Sequence, residues 1–480
     1  MKRLFVIFFL FVSTHLQSQT WRTVFEGESP VGFTDVLRTR GDAYLFAGQY
    51  HDAAWLVKFE ENGEYVSRRF PEIYTFMGVE ELDNGNYFVI GAATIDSISN
   101  LCAAVVDNEL NIIKNTFIAV EEDYESFYPY EGQTMKDSDG TIVASVPAVY
   151  EEEDGWIHHW GTLWRFDQEG ELSHHRYLGQ LFSGHLARFW PYQIKKTYDD
   201  QEICLFVPCR DGFSDMLYFD ESFNCLRAYQ MMVEGHPIWD WFSDWYYDNG
   251  DMLATAQVYY PGVYNIYQLL FFRMTAEGEI VEQNMPIRIG DTCMYGAAFR
   301  GMAAFDENTV YVGAYCLPEG GVRPCYPEVF LINKDLEVLG KISLESEWNY
   351  WTNLIVETSD GGCILSAISG DSKKSIVLKF TREDFNPILS VKDVPCEQLE
   401  ACAFPSPTRS MLNIDISDIP HDEANRIRVI DANGRVCIDR YIKGEGNLLE
   451  LGVGCLRPGL YVYQIYNAQQ ELLKGKFVKE

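Results

Sequence analysis

Short stretches that alternate apolar and polar residues recur along most of this chain, as in Ala43 to Gly48 and Leu56 to Phe59. A period of two is the signature of a β-strand with one face toward a core. Clusters of glycine, aspartate and asparagine separate the stretches. From about residue 34 to 390 the pattern becomes a repeat: strand, tight turn, strand, variable loop, strand, tight turn, strand. First turns include Arg40-Gly41-Asp42, Asp83-Asn84-Gly85-Asn86, Asp137-Ser138-Asp139-Gly140 and Asp248-Asn249-Gly250-Asp251. Second turns include Glu60-Glu61-Asn62-Gly63, Asp167-Gln168-Glu169-Gly170 and Asp220-Glu221-Ser222-Phe223. These residue types suit hairpin turns because such turns need positive φ or a side chain that bonds the local backbone.

Seven such units follow one another at intervals of roughly 44 to 60 residues, a period that fits four-stranded blades. One four-stranded sheet cannot cover both of its faces, but a ring of sheets can. The expected fold is therefore all-β: a seven-bladed β-propeller over 19–395, then a small Ig-like β-sandwich. Six or eight blades remain open, because the third unit is long and the fourth degenerate. Trp21 to Phe25 is expected to add a strand to the last blade. The Trp-Asp, sialidase and kelch signatures of known propeller families are absent.

Both ends carry export signals. Lys2 and Arg3 precede the apolar run Leu4 to Val12 and the polar stretch Ser13 to Thr20, the order of a signal peptide. Nine apolar residues are too few for a membrane-spanning helix, which needs about 20. The leader is assigned to 1–18, with cleavage near Ser18. No later run is long enough to cross a membrane. After a linker at 396–403 the blade pattern stops. Residues 404–480 open with Phe404-Pro405-Ser406-Pro407 and continue through Ile427 to Val436, which holds Gly434 and Arg435. Leu456 to Val462, with Gly459 and Tyr461, and a basic end with Lys476 and Lys479 complete the order.

These motifs, in this order, resemble the C-terminal sorting domain of type IX secretion substrates. Ser406 departs from the asparagine usual there, and Cys437 and Cys455 are atypical. The resemblance implies that the tail engages the outer-membrane export machinery, leaving the cargo on the cell surface or released.

Composition narrows the partners. The formal charge of −33 makes nucleic acid and anionic lipid poor partners. Twelve cysteines in an exported chain raise the question of disulfides. Cys316 with Cys325, Cys396 with Cys402, and Cys437 with Cys455 are the spacings that fit, and buried free thiols are the competing reading. Without a Cys-x-x-Cys pair a structural zinc is unsupported. No cofactor is expected. The acidic run Glu151 to Asp154 lacks the ligand order of a Ca²⁺ loop.

Strand direction predicts that tight turns gather at one end of the ring, with variable loops and blade-to-blade crossings at the other. Loops such as Tyr150 to Gly161, Tyr259 to Asn265 and Leu317 to Pro327 belong to that second end. The crossings are aromatic and charged, which suits sugars or peptides. Candidate ligand-binding residues are Arg188, Trp190, Trp239, Trp241, Tyr295, Arg300 and Trp351. Residues entering an inner strand also wedge between blades, so packing competes with ligand contact at each. A binder of glycan, peptide or protein is the leading expectation. A polysaccharide hydrolase or lyase, with Asp240, Asp244 and His236 as nearest candidates, is one alternative, and a structural adhesin is another. His158-His159 and His174-His175 fall on facing parts of the third unit, where a hairpin is expected to bring them together.

Overall fold

The computed structural model describes residues 20–479 except 29, 122–123, 125, 128–131, 152–156, 179–192, 209–213, 234–235, 261–265, 285–292, 297–299, 318–325, 345–349, 386–402, 405–407, 417–425, 432–435, 443–447, 455 and 467–470. The chain divides into two compact units, Met1–Phe385 and Asn386–Glu480. Among the described residues the regular structure is β-strand, apart from one 3₁₀ turn at Arg382–Phe385. None of the described helical structure is long and apolar enough to cross a membrane.

The larger unit is a succession of antiparallel meanders, four-stranded except for the third and sixth, in which two short strands pair with the same neighbour and bring the number to five. They cover 31–70, 75–119, 126–177, 193–233, 236–284 and 293–343, and a last one covers 350–380 with three strands. The fourth and fifth join in one sheet where Val233 pairs with His236. The last meander takes its fourth strand from the far end of the chain. Trp21–Glu26 pairs with Lys374–Phe380, placing Trp21 opposite Lys379.

Apolar side chains from each meander pack on the next. Leu45 and Leu56 meet Phe76 and Val79. Leu101 and Phe88 meet Trp164 and Phe166. Val143 meets Leu205, Cys204 meets Leu270, and Leu253 meets Val312. Tyr311 meets Leu365. Finally Val356 and Val377 of the last meander meet Phe33 and Phe46 of the first, so the series returns to its start. Burying a side chain such as Phe46 contributes about 1.5–3 kcal/mol.

The tight turns share one geometry. In 107–111, for example, Asp107 N–H donates to the Asn111 carbonyl and Leu110 N–H to the Asp107 carbonyl. The Asp107 carboxylate accepts from the backbone of Glu109 and Asn111. The fourth turn residue takes a left-handed conformation, which glycine adopts without strain. Gly63, Gly85, Gly140 and Gly250 stand there with φ of +82° to +87°. Leu110, Phe223 and Leu336 take the same conformation at φ of +58° to +64°. Each buries its side chain in the core between meanders, to 1% exposure or less. That burial offsets the roughly 1–2 kcal/mol that left-handed geometry costs an L-residue.

The opposite connections vary. Those after Tyr50, Ile95 and Ser369 are tight, while those around 152–156, 209–213, 261–265 and 318–325 are longer and lie outside the described residues. The stretch Tyr150 to Gly161 is shorter as a loop than its sequence suggests. Tyr150 and Glu151 end one strand, and Ile157–Phe166 forms the next, with Tyr150 opposite His158.

In the smaller unit Ala403–Phe404, Met411–Asp415 and Leu448–Gly452 form one sheet. Val436–Tyr441, Arg426–Asp431, Gly459–Tyr466 and Glu471–Lys479, in that order, form a second. The two share a core that includes Leu412, Ile414, Val429, Tyr463 and Phe477.

Candidate functional site

The innermost strands are irregular at one level. Register shifts interrupt them at Phe33/Asp35, Phe76/Gly78, Trp239/Phe242 and Thr352/Leu354. A bulge inserts a residue, turns the strand and re-aims side chains. It also brings backbone close to the neighbouring strand. Gly48 stands opposite Phe33, and a Cβ there would collide with the Gly32 carbonyl oxygen. Gly91 opposite Phe76 meets the Thr75 carbonyl in the same way.

The extra residues bond sideways to adjacent inner strands. Thr34 Oγ1 donates to the Phe76 carbonyl at 2.6 Å, and Asn353 Nδ2 donates to the Phe33 carbonyl. Gln193 and the backbone of Ser243 exchange two bonds. Inner strands that do not pair with one another are thereby tied side by side.

Arg300 sits within this ring of inner strands. Its carbonyl accepts from Ile355 N–H at 2.8 Å, which ties it to the last meander. Its guanidinium reaches the first meander, donating to the Val36 carbonyl at 2.8 Å and lying 2.7 Å from Asp35 Oδ1. It also approaches Glu80 of the second meander at 3.9 Å. Asp35 accepts from the N–H groups of Val36 and Val79 at 2.8 and 2.9 Å. Burial pushes the Asp35 carboxyl up to about 6, although Arg300 and the two N–H groups pull the other way. Burial likewise pushes Glu80 up to about 7, against the pull of Arg300 and with the help of Asp35. Chemically this is a half-buried cation beside two buried carboxyls whose hold on a proton is raised, to about 6 at Asp35 and about 7 at Glu80.

Neither Asp35 nor Glu80 is singled out by sequence. The signal available was the adjacent polar pair Thr34-Asp35, which breaks the alternation of Val31–Arg38 and marks the bulge.

The aromatic candidates fall in different places. Trp351 is the second residue of Tyr350–Glu357, at the end of the strand fed by the crossing from the sixth meander. It is 40% exposed, while Tyr350 beside it is 2% exposed. Its ring lies 5.2 Å from that of Tyr315. Tyr295 is on the strand Cys293–Gly296, directly opposite Tyr315. Trp239 and Trp241 are on His236–Tyr246; Trp241 and Asp240 occupy its first bulge, and Asp244 the second. His236 ends the pairing that joins the fourth and fifth meanders. Arg188 and Trp190 lie outside the described residues.

The histidine pairs do not meet. The ladder between their strands joins Trp164 to His175 and Arg165 to His174, away from His158 and His159. His175 stacks on Trp164 at 4.8 Å and contacts Glu121 at 3.2 Å. His174 stacks on Phe223 at 5.1 Å. Among the described residues no group of three or more His, Cys, Asp or Glu is placed to hold a metal ion. Glu151 ends a strand, and the rest of the acidic run lies outside the described residues.

Arg40-Gly41-Asp42 is an exposed turn whose charged arms are engaged. Arg40 lies 3.1 Å from Glu81, and Asp42 lies 2.6 Å from Arg38. Cys102 and Cys204 are buried free thiols, and burial pushes both up to about 12. Cys325, Cys396, Cys402 and Cys455 lie outside the described residues, which leaves each considered disulfide without a described partner.

In the tail, Phe404 pairs with Asn413, and Gly459 faces Lys479. Tyr461 is 6% exposed, stacks on Phe477 at 5.5 Å and donates to the Arg457 carbonyl at 2.9 Å. Lys476 is exposed opposite Val462, and Lys479 is buried. Pro405, Pro407, Gly434 and Arg435 lie outside the described residues.

Among solved structures, the chain is similar to the polysaccharide lyase Uly1, with 10% identity, a TM-score of 0.45, and coverage of 77% of this chain and 94% of that one. The periplasmic gluconolactonase PpgL of Pseudomonas aeruginosa also has 10% identity and a TM-score of 0.45, over 86% and 99% of the chains. Drosophila Plexin A in complex with Semaphorin 1b has 8% identity and a TM-score of 0.43, over 74% and 86%. No curated protein sequence matches the chain. A family model, the secretion system C-terminal sorting domain, matches residues 402–480. Those residues belong to that family, and a tail of this kind marks the chain as cargo for export to the cell surface or beyond.

Proposed function

We propose that the chain is an exported seven-bladed β-propeller with an Ig-like sorting tail, and that its body binds a glycan or peptide without catalysis. The leader is 1–18, the propeller 19–395, the linker 396–403 and the tail 404–480. The body's ligand docks at the end where the variable connections gather. The observation that carries this reading is Trp351, an exposed indole beside Tyr315 on a strand whose neighbouring residues are mostly buried. Flat aromatic rings give large contact area at little cost in side-chain entropy, and they suit the apolar faces of sugars.

A carbohydrate and peptide array probed with the mature body tests it. Retention of a ligand without turnover is expected, and Trp351→Ala should weaken that retention about tenfold, as losing roughly 1.4 kcal/mol would. Turnover of a polysaccharide would replace the binder with a hydrolase or lyase. Asp240 and Asp244 would then be examined first, since bulges cluster beside active sites. Neither retention nor turnover would leave a structural adhesin.

A further inference from the structure

The larger sheet of the tail has one side on a core, and on its other side several apolar side chains are exposed among the described residues. Ile427, Val429, Tyr461, Tyr463, Ile465 and Phe477 point inward. By the two-residue period of a strand, the positions between them point outward. The cross-strand register sets Val436, Ile430, Val462 and Lys476 in one row across all four strands. Leu460 and Val478 face each other in the next row. Leu460 is 51% exposed, Val436 46% and Val478 40%. On the other side of the first row come Arg428 and Gln464, also aligned. Asp439 lies 2.7 Å from Arg426 and 3.5 Å from Arg428.

Among the described residues the outer face thus joins exposed apolar side chains to the basic groups of Arg426, Arg428 and Lys476, with Asp439 beside the two arginines. This stands out in a chain of net charge −33. Residues 402–480 hold ten basic and ten acidic side chains, so all of the net negative charge precedes the tail. Contiguous exposed apolar surface on a small soluble unit marks an interaction site.

We propose that this outer face is the surface by which the tail docks on the export machinery, and that its occupant is a protein surface with an apolar centre and an acidic rim. The proposal rests on the tail being a sorting domain. Charge selects this occupant over a second copy of the tail, because two identical faces would oppose cation to cation. Leu460, Val478 and Val436 supply the desolvated centre, and Lys476, Arg426 and Arg428 steer the approach.

The test uses the full chain in a bacterium with type IX secretion, following the fraction on the surface and in the medium. Three variants are compared with wild type: deletion of 402–480, Leu460→Glu with Val478→Glu, and Lys476→Glu. Thermal unfolding of each purified chain checks folding. If the double variant loses the tail's fold, Lys476→Glu decides, since its side chain is exposed and outside the core. Deletion should stop export, the double variant should reduce it about tenfold or more, and Lys476→Glu should reduce it several-fold. Wild-type export of the folded Glu variants, with the deletion retained inside, would overturn the docking face and leave the sorting assignment standing. Normal export of the deletion would overturn both.

Discussion

Glu80 and Asp35 hold their protons more tightly in the folded chain than carboxyls ordinarily do. The unfolded chain releases these protons near 4.5 and 3.8, and the folded chain near 7 and 6. Between those values the native state binds more protons, so stability falls as pH rises. Their contribution is largest below about pH 4 and is spent by about pH 7. Glu80→Gln removes one titration, and its urea midpoint should change less with pH between 4.5 and 7 than that of wild type. An unchanged slope would mean that Glu80 titrates alike in both states. Arg300 moderates this penalty by placing a cation at both carboxyls. Its position inside the ring, bonded to Val36 and Asp35, was not legible in sequence, where Arg300 is simply a charged residue among crossing aromatics.

At the scale of elements, turns and bulges contrast. The turns were legible because one geometry demands one class of residue, and Gly85, Gly140 and Gly250 announce it. The exceptions are instructive. Phe223 takes the same left-handed position with its ring fully buried under His174 and beside Arg165. Its turn is regular, with Phe223 N–H donating to the Asp220 carbonyl. If Phe223 served the turn alone, glycine would stabilise the protein. Because its ring also fills a core, Phe223→Gly should cost about 1–4 kcal/mol: roughly 3–5 for the lost ring, less 1–2 for relieved strain. Chemical denaturation measures the difference, and a gain in stability would refute the packing role. The bulges were not legible, since one extra residue leaves composition and spacing almost unchanged. Trp351 shows a related ambiguity: a stretch reading Tyr350-Trp351 does not say which ring is buried, and the pleat decides that it is Tyr350.

At the scale of the molecule, the division of the chain was legible at its C-terminal end, where four ordered motifs mark a tail that the family model matches at 402–480. The repeat gave the meanders, but the ligand did not follow from them. Residues between strands vary without a shared rule, and Arg188 and Trp190 fall among those not described. What organises the body is closure. The strand nearest the N-terminus completes the last meander, and its Trp21 stacks on Phe59 of the first at 5.0 Å. Hydrogen exchange of the mature full-length protein, followed peptide by peptide, tests this closure directly. With the strands paired, amides of residues 21–26 are protected to a similar degree as those of 374–380 and lose protection with them. Exchange of 21–26 at the rate of an unstructured peptide, while 374–380 stay protected, would contradict it.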